Sequence, residues 1–61
     1  MMKAYSYREF RRILERNGFS WDRTTGSHET FVKGDESVTI TTKKISAMIC
    51  RRLIKEHGLE V

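Results

Sequence analysis

The triplet Gly26-Ser27-His28 is where residue types and spacing in this sequence most clearly suggest chemistry. A glycine lets the backbone turn sharply, Ser27 can hydrogen-bond locally, and the imidazole follows at once at the start of a predicted strand. Such a histidine is held on a rigid element. Imidazole has an unperturbed pKa of about 6.5, so it can give and take protons near neutral pH. On RNA, the reaction that needs only such a group is attack of a ribose 2′-OH on the adjacent phosphate. A base removes the proton, cations stabilise the charged intermediate, and no metal is required. The same pattern also fits a surface histidine that merely follows a turn, and the residues alone leave both readings open.

Cations surround this segment. Arg23 and Lys33 flank it and are the candidates for stabilising a transition-state phosphate. Arg8, Arg11, Arg12 and Arg16 crowd one predicted helix, and Arg51, Arg52 and Lys55 a second. Some of these must be plain solvent-facing charge, because amphipathic helices need polar outer surfaces. Twelve Lys and Arg against eight Asp and Glu give a net charge of +4 over 61 residues, so polyanions are the first partners to consider, with solubility as the other account of the charge. Trp21 and Phe31 could stack on bases, but in so small a core they read as packing residues. His57 falls in a last helical turn, where a cation suits the helix dipole.

The length allows one domain, residues 1–61, and limits the core. A single cysteine, Cys50, excludes an intramolecular disulfide and every zinc pattern built on paired thiolates. It has no histidine partner in sequence that would make it a nucleophile. No metal or other cofactor is called for. No apolar run approaches the roughly 18 residues that cross a bilayer, and Met1 to Tyr7 is too polar and short for a signal peptide. The expectation is a soluble cytoplasmic protein with no membrane association, of undetermined oligomeric state.

The elements that must position these residues follow from periodicity. Ser6 and Glu9 have capping-box spacing, and Phe10, Ile13 and Leu14 then recur on one helical face until Asn17-Gly18, with Phe19 as the hydrophobic clamp. The period then becomes two, which puts Phe19, Trp21 and Arg23 on one face of a strand. Thr24-Thr25-Gly26 reads as a turn, Ser27 to Lys33 as a second strand, Gly34-Asp35-Glu36 as a turn, and Ser37 to Thr41 as a third strand. Ile45, Met48, Ile49 and Leu53 return to helical spacing, with Cys50 beside that stripe and Gly58 as the stop. The predicted class is α+β, in the order α-β-β-β-α: a three-stranded antiparallel sheet with two helices on one face. Counting from an inward Phe31, the open face displays His28, Thr30 and Val32.

Gly18-Phe19, Arg23, Gly26-Ser27-His28, Phe31 and Val38-Thr39-Ile40 before a closing helix ending at Gly58 resemble the HicA family of toxins from toxin-antitoxin systems, over nearly the whole chain. The resemblance implies a double-stranded-RNA-binding-domain-like fold, endoribonuclease cleavage of mRNA in the cytoplasm, and inhibition by a cognate HicB antitoxin that covers the active site. It also implies that His28 is the catalytic residue. Many family members follow the third strand with a Pro and a nearby His, whereas this chain has Thr41-Thr42-Lys43-Lys44. A second proton-transfer group would then be water, a lysine or His57. Lys43-Lys44 resembles the paired lysines that such domains set against phosphates, and with Arg23, Lys33 and Ser27 completes the candidate RNA-binding set. The competing function is a non-catalytic double-stranded-RNA-binding-like module.

Overall fold

Ser6 and Glu9 open the first helix as their spacing predicts: Ser6 Oγ accepts from the Glu9 amide at 3.1 Å, and Glu9 Oε1 accepts from the Ser6 amide at 3.0 Å. In the computed structural model, which describes residues 3–61, this helix is α1, Tyr7–Arg16. Met1 and Met2, part of the stretch judged too polar for a leader, lie outside the described residues. At the other end of α1 the Phe19 amide donates to the Leu14 carbonyl and the Gly18 amide to that of Glu15, with Gly18 at φ +91°. This paired closure turns the chain sharply into the sheet.

The strands are β1 (Ser20–Thr25), β2 (His28–Lys33) and β3 (Glu36–Thr41), an antiparallel meander in the order β1-β2-β3, followed by α2 (Ala47–His57). The α-β-β-β-α order and open three-stranded sheet match expectation. The turns are shorter than the sequence suggested. Each hairpin closes on two residues, Gly26-Ser27 and Gly34-Asp35, so Thr24 and Thr25 belong to β1 and Glu36 to β3. In both turns the glycine has positive φ and no other residue does, which is the type II′ pattern that matches strand twist.

Phe31 and its cross-strand partner Val38 point to the helices and are buried, and with Phe10, Ile13, Leu14, Phe19, Ile40, Ile45, Cys50, Leu53 and Leu59 they form the core. Two face assignments made from periodicity fail here. The pairing of β1 shifts between Trp21, opposite Phe31, and Arg23, opposite Thr30, leaving Asp22 as the extra residue of a bulge. Arg23 therefore leaves the face of Trp21. Trp21, expected to pack, is 51% exposed, because β1 is an edge strand that the helices do not cover. In α2 the phase is displaced: Met48 is 73% exposed while Cys50 is fully buried, with Leu53 beside it. The cause is Ile45, which is not helical. Its amide donates to the Tyr5 carbonyl at 3.0 Å, and Ser46 caps the helix through its hydroxyl, so a stripe counted from Ile45 is out of step.

Candidate active site

Cross-strand partners share a face, and the register fixes what the uncovered face presents. Thr25, His28 and Thr41 form one row across it, Arg23, Thr30 and Thr39 the next, and Ser20, Val32 and Ser37 the third. His28 lies on this face, at the first position of β2 and exposed to solvent, as alternation from Phe31 predicts. The bulge at Asp22 brings Arg23 onto it as well. Arg23 is the diagonal neighbour of His28, a relation that spans ~7–8 Å between backbones. Its guanidinium donates to the Asp22 carboxylate, an exposed pair that holds it weakly. In the middle row the hydroxyls of Thr30 and Thr39 bond to each other at 3.0 Å, which satisfies Thr30, a polar side chain otherwise shielded by its neighbours.

The stretch after β3 is tied to the same corner. The Thr42 amide donates to the Ser27 carbonyl at 2.8 Å, and the Lys43 amide to Thr41 Oγ1 at 2.8 Å. Thr41 is the cross-strand partner of His28. The segment after β3 that carries exposed Lys43 and Lys44 is thus tied to the turn residue Ser27, next to His28. Of the residues singled out from sequence, the structure sets His28 and Arg23 on the open face and ties the backbone that leads into Lys43-Lys44 to Ser27 and Thr41 at the same end. It does not bring Lys33 there. Lys33 ends β2, five residues and about 17 Å of extended chain from His28. By alternation it lies on the helix side, and its Nζ is 5.8 Å from the centre of the Phe19 ring.

His57 lies in the last turn of α2, as expected, and its Nδ1 is 2.9 Å from Glu36 Oε1. Glu36 pairs with Lys33 at the far end of the sheet, so His57 is remote from His28 and no second imidazole stands beside it. Cys50 is in the core, where burial pushes its thiol up, consistent with packing and not with nucleophilic chemistry. Glu29, the neighbour of His28, faces the helices and accepts a 2.5 Å hydrogen bond from the Tyr7 hydroxyl; burial and that bond raise the phenol above its ordinary value. Among the described residues no three His, Cys, Asp or Glu side chains converge in a way that could hold a metal ion. Thr25 and Thr41, which flank His28, were missed from sequence. Counting outward from two-residue turns at Gly26-Ser27 and Gly34-Asp35 would have found both.

The open face thus presents a solvent-facing histidine, with the segment that leads into two lysines tethered at the same corner. A family model described as "HicA toxin of bacterial toxin-antitoxin" matches residues 7–59. The chain belongs to the HicA family. The match runs from the first residue of α1 to the core residue Leu59, and so spans every element described above. No curated protein and no solved structure matches the chain. Membership of a HicA toxin family implies an antitoxin partner. Among the described residues no helix is long and apolar enough to cross a membrane.

Proposed function

We propose that this HicA-family chain is an endoribonuclease that cuts mRNA in the cytoplasm, with His28 as the proton-transfer group. A phosphodiester laid on the open face near Arg23, Lys43 and Lys44 has its charge offset by those side chains. The imidazole of His28 takes the proton of the ribose 2′-OH. The freed oxygen attacks the adjacent phosphorus, the P–O5′ bond breaks, and the leaving oxygen takes a proton from water, a lysine or the imidazolium. The products are a 2′,3′-cyclic phosphate and a 5′-hydroxyl end. Ser27 serves through its backbone, anchoring the lysine segment. Lys33 lies outside this cluster and has no part in the chemical step. An antitoxin of the HicB type would inhibit by covering the open face.

The observation that carries this reading is the solvent-facing His28 on the uncovered sheet face, beside Arg23 and the tethered lysines. The test is cleavage of a labelled mRNA by wild type and His28→Ala, in EDTA and with added Mg²⁺. The variant is expected to lose roughly 10²- to 10⁴-fold in rate with an unchanged thermal melt. Undiminished cleavage by the variant refutes the assignment of His28. An intact, retarded RNA band with wild type favours the non-catalytic binding module, and dependence of wild-type cleavage on Mg²⁺ refutes a metal-independent reaction.

A further inference from the structure

The arginines of α1 are divided between two faces. Arg11 is engaged, its Nε 3.2 Å from Glu15 and its Nη1 3.3 Å from the Tyr7 hydroxyl, and its guanidinium lies 6.0 Å from the centre of the Phe31 ring. Arg8, Arg12 and Arg16 recur every four residues on another face, are exposed, and have no ion pair or side-chain hydrogen bond among the described residues. They line a cleft of about 360 Å³ together with Lys3, Tyr5 and Ile13. Its one side-chain carboxylate, Glu9, is held by the Ser6 amide and kept below its ordinary value by that bond, and Val61, the last residue of the sequence, lines the cleft as well. The floor is apolar, from Ile13 and the half-buried Tyr5 ring, on which Lys3 Nζ rests at 4.9 Å.

We infer that this cleft is a second nucleic-acid contact, a track for the phosphate backbone of the RNA on the side of the sheet away from His28. Four-residue steps along a helix advance about 6 Å each, and the guanidinium fork binds phosphate bidentately. A row of cations so spaced suits a polymer charged at every unit. The apolar floor gives sugar or base a surface to lie against. Lys3 extends the row past the helix start. The protein is only 15 Å thick along its shortest principal axis, so one flexible strand can reach both this track and the open face. The track holds substrate and takes no part in bond breaking. It takes RNA as the ligand, as the proposed function does, but needs no cleavage.

The test separates the two. Binding of a fluorescent 2′-O-methyl oligoribonucleotide, which lacks the nucleophile, is followed by anisotropy across a range of KCl. Wild type is compared with the triple variant Arg8→Gln/Arg12→Gln/Arg16→Gln, with the triple Arg→Lys variant and with Arg11→Gln. Each lost phosphate contact lowers the salt slope by about 0.7 on single strands. The triple Gln variant should therefore lose about two units of slope and up to about a hundredfold in affinity near 0.1 M salt. The Lys variant should keep most of the slope, Arg11→Gln should behave as wild type, and circular dichroism should show all four folded. An unchanged slope in the triple Gln variant overturns the track and leaves the cleavage reading intact. Slope lost in that variant while wild type cuts no RNA supports the track and removes the nuclease. Arginine-dependent binding of poly-glutamate with none of the oligoribonucleotide overturns the track in favour of an acidic protein.

Discussion

Phe31 and Trp21 stand opposite each other in the β1–β2 pairing, yet one is 0% and the other 51% exposed. Their replacement by Ala should separate packing from display. Phe31 is covered on all sides by α1, β3 and the rest of the core; removing its ring forfeits burial and leaves a cavity, together about 3–5 kcal/mol. At roughly 0.05–0.15 kcal/mol per residue, a 61-residue chain has on the order of 3–9 kcal/mol in total. Phe31→Ala should therefore lose at least about a third of the folding free energy and, at the lower end of that range, all of it. Trp21 hides about half of an aromatic surface, on the order of 100 Å². At about 25 cal/mol/Å² this gives at most ~2.5 kcal/mol, with no cavity because water occupies the vacated edge. A realistic loss is about 1–2 kcal/mol, since the unfolded chain already covers part of that area. Urea denaturation followed by circular dichroism measures both, and acrylamide quenching of Trp21 in the wild type checks its exposure. A cooperative melt near the wild-type midpoint for Phe31→Ala, with loss of RNA binding, would refute the assignment of Phe31 to the core and make it a stacking residue.

Gly18→Ala should cost about 1–2 kcal/mol, because φ is +91°, while the 3.3 Å approach of the new Cβ to Lys33 Cε is relieved by movement of that flexible chain; thermal denaturation reads it. The Glu9 carboxyl is held below its ordinary 4.5 by the Ser6 amide, so its stabilisation is present above that pH and lost as pH falls through the lower folded value. The melting-temperature gap between wild type and Glu9→Gln should therefore close on acidification below about pH 4 and remain constant from 6 to 8. Burial raises the Cys50 thiol above its ordinary 9.0, so Cys50 favours the folded state less as pH climbs past that value. Iodoacetamide should modify it at neutral pH only as fast as the chain opens, and urea should accelerate the reaction sharply.

The elements legible in the sequence are those with local signatures. Ser6 and Glu9 contain the whole of a helix start, and Asn17-Gly18-Phe19 the whole of a helix stop, because every partner lies within one turn. The placement of His28 on the open face needed only Phe31 as a reference and strict alternation between them. What failed depended on partners distant in sequence. The bulge at Asp22 exists only relative to β2, and nothing in Trp21-Asp22-Arg23 marks it. Ile45 resembles a first helical position until Tyr5 pairs with it, and this one non-local bridge moves the buried stripe of α2 from Met48 to Cys50. The same reasoning explains the two lysine groups. Lys33 and Lys43-Lys44 look alike as charge near His28; alternation along β2 is enough to put Lys33 on the other face, whereas the approach of the Lys43-Lys44 segment depends on the non-local bond from Thr42 to Ser27.

The bond from the Thr42 amide to the Ser27 carbonyl has a use beyond holding a corner together. It makes one proton a spectroscopic gauge of the whole cluster: any ligand or inhibitor that seats on the imidazole and the lysines together must alter the exchange rate and chemical shift of that single NH. A molecule engaging only the arginine side of α1 should leave the signal where it was.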